Sequence, residues 1–130
     1  WNRVGADGKP RPLHIDKALE VINFDQVEPG PAMPQLLESG NDLHREMLVK
    51  CPYFCAERFT FEQAGTSFEG RCDGSTFEIW GVMSGRGRVE WRGEPLELPA
   101  VRFALLPAAL GDFRIEAAEP LVWLRVYVPG

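Results

Sequence analysis

Few side chains in this sequence are of a type and spacing that suit chemistry. Arg3, Lys9 and Arg11 put two or three cations on or beside a Gly/Pro-rich loop, Gly5 to Pro12. That composition suits a phosphate group electrostatically, although its plainer reading is a solvated loop. The two histidines, His14 and His44, stand 30 residues apart, too far in sequence to suggest a shared site. His14 is read as structural or capping, and His44, in the polar run Asn41–Glu46, as exposed. Cys51, Cys55 and Cys72 are an odd and sparse set for a disulfide scaffold. Cys51 and Cys55 lie four apart, on one face if the segment is a strand. With His44 or Cys72 they could be imagined around zinc, but no Cys-x-x-Cys pair supports it. Buried thiols in a reducing compartment are the preferred reading. Glu78 and Glu90 are the acidic residues placed where a base would be useful. Both alternate with apolar neighbours, as on an outward strand face, and are expected at the surface. Trp80, Trp91, Phe103, Phe113 and Trp123 could stack on a sugar ring. Core packing or an interface between barrels is the simpler use of so much aromatic area, and Trp80 and Trp123 are expected at such an interface.

The elements that must position these groups follow from periodicity. Ile15, Ala18, Leu19 and Ile22 form one apolar helical stripe, and Pro12 suits a helix's first turn, so a short amphipathic helix is predicted. Residues 23–41 carry Pro29, Pro31 and Pro34 and read as an extended connector. From Leu43 onward the pattern is β. Short strands are predicted at Glu46–Lys50, Tyr53–Glu62, Thr66–Cys72, Phe77–Met83, Gly87–Arg92, Glu94–Leu98, Phe103–Leu106, Phe113–Ala117 and Leu121–Val128. Phe77, Ile79, Gly81 and Met83 are expected to share one face. In the last strand Val122, Leu124, Val126 and Val128 are expected to face the core, with Trp123, Arg125 and Tyr127 opposite. The reading is an arm at residues 1–42 and a sandwich or barrel at residues 43–130.

Composition bounds the function. The chain is 45% hydrophobic with a formal charge of −5, which suits a folded domain and disfavours a nucleic-acid partner. No apolar run approaches the roughly 20 residues that span a bilayer, and no signal peptide opens the chain, so no membrane partner and a cytoplasmic location are expected.

Two resemblances sharpen this. Strand, Gly85-x-Gly87 turn, strand, Gly-containing turn, strand and then Leu98-Pro99-Ala100 resembles the core of a cupin barrel, a double-stranded β-helix or jelly roll. Trp1-Asn2-Arg3, Asp7-Gly8-Lys9-Pro10-Arg11, Leu13-His14-Ile15 and Lys17-Ala18-Leu19 resemble type I mannose-6-phosphate isomerases, where such a tract leaves the catalytic barrel. Cys51-Pro52-Tyr53-Phe54, Gly85-x-Gly87 and Leu106-Pro107-Ala108 resemble that family's C-terminal cupin barrel. The resemblance implies an all-β cupin region with an N-terminal arm and one short helix. It implies a family activity that interconverts mannose 6-phosphate and fructose 6-phosphate on a zinc ion. The family's zinc ligands and catalytic arginine lie in its N-terminal barrel, outside the part this chain resembles. No catalytic or metal residue is therefore assigned here, no cofactor is expected in this chain, and activity of the chain alone is not expected. Arg3, Lys9 and Arg11 would at most border the sugar-phosphate pocket. Its expected role is structural, with a sugar phosphate and a second copy of itself as candidate partners. A metal-free cupin that binds a sugar or sugar phosphate is the alternative.

Overall fold

The computed structural model describes residues 4–10, 13–26, 28 and 30–129. These form two compact units, Trp1–Pro31 and Ala32–Gly130. In the first, Val4 and Pro10 bridge a tight turn in which the Gly5 N–H donates to the Lys9 carbonyl at 2.8 Å. A helix, α1 (Ile15–Val21), follows. Its apolar stripe of Ile15, Leu19 and neighbouring Ile22 is exposed. His14 stands at its N-cap but makes no side-chain capping bond.

The second unit is two antiparallel sheets. The larger is built from β1 (Gln35–Ser39), β2 (Leu43–Lys50), β3 (Cys55–Phe61), β5 (Glu78–Ser84), β8 (Arg102–Leu106) and β10 (Leu121–Tyr127). Their order is β1-β2-β3-β10-β5-β8. The smaller contains β4 (Ser67–Cys72), β6 (Arg86–Glu90), β7 (Leu96–Pro99) and β9 (Gly111–Ala117), in the order β4-β9-β6-β7. The jelly-roll expectation holds, and nine of the ten strands fall on predicted segments. The tenth, β1, lies inside the stretch expected as a connector, between Pro34 and Gly40, where it pairs with β2. A 3-10 turn at Ala108–Leu110 joins β8 to β9.

Between the sheets lies an aromatic core. Trp80 and Trp123 meet edge to face at 5.8 Å, Phe59 tilts against Trp80 at 5.0 Å, and Phe113 closes the other side at 5.9 Å. Aromatic pairs in these geometries add to the burial of large apolar area. Trp80 and Trp123 are thus fully buried, not at an interface. This corrects the expected phase of two strands. In β5 the inward residues are Glu78, Trp80 and Val82, while Phe77 and Met83 are exposed. In β10 Leu121 and Trp123 face inward with Arg125 and Tyr127, and Val122, Leu124 and Val126 lie on the outer face. Period two gives two faces but not which one is inside. Two tryptophans outweigh a row of valines in buried area, and the charges that accompany them find partners.

The polar end of the barrel

Four charged side chains and a phenol enter the barrel beside this core. Cross-strand register brings them together: Arg125 on β10 lies opposite both Glu57 on β3 and Trp80 on β5, and Tyr127 lies opposite Glu78. Arg45 reaches in from β2, where it is paired with Phe59. Glu57 is 1% exposed and Glu78 is 5% exposed. Glu57 accepts from Arg45 Nε at 3.1 Å and Nη2 at 3.3 Å, from Arg125 Nη1 at 3.5 Å and from the Tyr127 hydroxyl at 2.8 Å. Glu78 accepts from Arg125 through Nε at 2.8 Å and through Nη2, and from Trp80 Nε1 at 2.8 Å. The two guanidiniums balance the two carboxylates. Arg45 also lies over the rings of Phe59 and Phe68, and Arg125 over those of Trp80 and Tyr127.

Burial alone would lower the pKa of Arg125, but hydrogen bonds and charge from Glu78, then the charge of Glu57, raise it overall and keep the guanidinium protonated. Burial, followed by the Glu57 carboxylate, pushes the Tyr127 phenol well above its ordinary value, and burial with nearby Glu78 pushes the Cys72 thiol up. Above this network opens a recess of about 200 Å³, lined among others by Arg71, Asp73, Thr76, Glu78, Arg125 and Tyr127. Its rim is braced by Arg71, which donates to Asp112 at 2.6 Å, and by Ser75, which donates to Asp73 at 2.6 Å.

Glu78 is therefore not a surface residue. Its carboxylate is inside the barrel because Arg125, two residues beyond Trp123, neutralises it across the strand pair. Glu90 is partly exposed and pairs with Arg88 at 2.8 Å. His44 is half-buried, with its Nδ1 3.1 Å from the Ser39 hydroxyl. Of the basic tract, only Lys9 falls among the described residues, and it is exposed; Arg3 and Arg11 lie outside them. The three cysteines are free thiols, with Cys55 and Cys72 buried and Cys51 half-buried. Among the described residues no three His, Cys, Asp or Glu side chains converge as metal ligands. The polar end does not fit zinc: both carboxylates are already held by guanidiniums, no imidazole faces them, and a metal ion would lie against Arg125. Among the described residues no helix is long and apolar enough to cross a membrane.

The chain is 30% identical over 118 residues to the probable mannose-6-phosphate isomerase GmuF of Bacillus subtilis, covering 89% of this chain and 35% of that protein. It is 27% identical over 123 residues to mannose-6-phosphate isomerase ManA of the same organism, covering 94% of this chain and 37% of the relative. It spans about a third of the length of the curated relatives it matches. The crystal structure of the mannose 6-phosphate isomerase from Bacillus subtilis superimposes with a TM-score of 0.69 at 24% identity, over 97% of this chain and 38% of that one. An RmlC-like cupin from Desulfovibrio desulfuricans gives 0.60 at 19% identity, over 72% of this chain and 92% of that one. No family model matches.

Proposed function

We propose, on the premise that this chain is a cupin region of the mannose-6-phosphate isomerase type, that it is a non-catalytic lobe whose role is structural and whose setting is the cytoplasm. Moving a proton between two carbons of a sugar needs a base free to take it and an electrophile on the sugar oxygens. The observation that carries the reading is Arg125, seated between Glu57 and Glu78. A carboxylate saturated by guanidinium and phenol donors is a poor base, and Asp73, the other carboxylate at the recess, is taken up by hydrogen bonds from Ser75. The expected result is that the purified chain, with mannose 6-phosphate and stoichiometric zinc, forms no fructose 6-phosphate above the protein-free control. Turnover that disappears in Glu78→Gln would overturn the reading. In this reading Arg3, Lys9 and Arg11 serve the substrate phosphate only when a catalytic barrel accompanies the chain.

The recess favours a second reading, a metal-free site for a sugar or sugar phosphate. Carboxylate, guanidinium, phenol and hydroxyl groups converge there, and such sets hydrogen-bond polyols. Calorimetric titration with mannose 6-phosphate and with mannose tests it. Saturable heat with either ligand, lost in Arg71→Ala, supports binding; no heat with either rules it out.

A further inference from the structure

The two sheets end in four edge strands, β1 and β8 on the larger and β4 and β7 on the smaller. An edge strand presents unpaired N–H and C=O groups, and proteins that stay apart blunt it with charge, proline or a bulge. Three of the four are blunted. The register of β1 shifts between Leu36 and Glu38, β4 carries Glu69 and Arg71, and β7 carries Glu97 and ends on Pro99. β8 is not. Arg102-Phe103-Ala104-Leu105-Leu106 has its only charge at the first position and keeps regular register against β5. Among the described residues its backbone is bonded to no other element. Phe103 is 57% exposed and Leu105 is 61% exposed. Behind them the outer sheet face stays apolar through Gly81 and Leu124 in one row and through Ile79 and Val126 in the next. Beside them a recess of about 240 Å³ is lined by Trp91, Leu96, Leu105, Leu106, Pro107 and Leu110.

We propose that β8 is the seam of a two-fold homodimer, pairing antiparallel with β8 of a second copy so that the two larger sheets become continuous. Centred on Ala104, this register sets Phe103 opposite Leu105 of the second copy, and Leu105 opposite its Phe103. Arg102 falls opposite Leu106, so no like charges meet. A strand whose apolar pair flanks a small central residue is complementary to itself under a two-fold axis, as an isologous contact requires. Phe103 and Leu105, both more than half exposed, would cover each other across the seam, and the unpaired main-chain groups of both edge strands would be satisfied there. The surface uses no part of the polar end, so it stands or falls apart from the ligand and isomerase readings.

Light scattering across a dilution series reads it directly. The expected mass at about 100 μM, concentrated enough to populate ordinary interfaces, is twice the 14.6 kDa of the chain. Leu105→Lys is expected to give the monomer mass with an unchanged circular-dichroism spectrum. Leu36→Lys, an equally exposed leucine on blunted β1, is expected to leave the dimer intact. Register is tested in a Cys51→Ser background. Phe103→Cys mixed with Leu105→Cys crosslinks on mild oxidation, while neither crosslinks alone, because like positions lie beyond the ~7 Å reach of a disulfide. A monomer at every concentration, a dimer that survives Leu105→Lys, or crosslinking by either variant alone overturns the proposal.

Discussion

Replacing Arg125 by methionine removes the charge that holds two carboxylates inside the barrel while keeping most of the side-chain volume. Glu57 would retain Arg45 and Tyr127, but Glu78 would retain only the Trp80 N–H at 2.8 Å. Removing one member of a buried ion pair costs about 3–5 kcal/mol, because the charge left behind is uncompensated. Arg125 keeps 16% of its side-chain surface at the recess, so some water reaches the site and the lower end, about 3 kcal/mol, is expected. For a unit of this size that corresponds to a fall in Tm on the order of 12–24 °C. Urea unfolding at pH 7.5 is the assay. Adding Glu78→Gln is expected to recover about 1–2 kcal/mol, since the amide oxygen still accepts from Trp80. A deficit below about 1 kcal/mol at pH 7.5, within the range of exposed pairs, would refute the reasoning. That result would mean that the polar end is effectively solvated.

Three further outcomes follow from the same geometry. The Tyr127 phenol is pushed up from its ordinary value of 10.0 by burial and then Glu57, so its contribution is complete below that pH and is lost as pH rises beyond it; Tyr127→Phe should cost about 1–2 kcal/mol at neutral pH and flatten the alkaline loss in urea midpoints. Cys55 and Cys72 are buried, and Cys72 is held protonated by burial; a thiol-reactive chromophore should label them only as the protein unfolds. Gly85→Ala and Gly74→Ala both place a side chain at positive φ, +79° and +97°. A Cβ at Gly74 meets nothing, whereas at Gly85 it collides with the Pro120 carbonyl oxygen. Thermal unfolding should therefore show about 1 kcal/mol for Gly74→Ala and roughly 1–3 kcal/mol more for Gly85→Ala.

Strand number and spacing were legible because glycine and proline punctuate them, at Ser84-Gly85, Arg92-Gly93 and Leu98-Pro99 among others. What was not legible was polarity of face. Ile79 and Met83 in β5, like Val122, Leu124 and Val126 in β10, look like core residues by type, yet they lie on the outer side because the tryptophans of those strands are inside. The inward charges had a weak signature that could have been read. Glu57, Glu78 and Arg125 each stand two residues from a large aromatic, Phe59, Trp80 and Trp123, and so share its face. Three such pairs on separate strands, two acidic and one basic, leave one negative charge over, which Arg45 on β2 compensates. Alternation within one strand cannot show this, since each charge is satisfied only by its neighbour strands. β1 was hidden for a related reason: flanked by Pro34 and Gly40 and exposed along its length, it has no buried face to impose a period.

The placement of β10 bears on how the molecule is made. It is the last of the ten strands to leave the ribosome, yet it lies between β3 and β5 and bonds to both. Until it arrives, the larger sheet exists as two separated fragments, β1-β2-β3 and β5-β8, each with a raw inner margin. Trp123 and Arg125 are also still missing from the core and from the two glutamates. Synthesis of the first nine strands therefore precedes closure, and until then the nascent chain waits unsealed with Glu57 and Glu78 unneutralised by Arg125. For this jelly roll the most vulnerable moment of assembly is the interval before the seven-residue β10 inserts between β3 and β5.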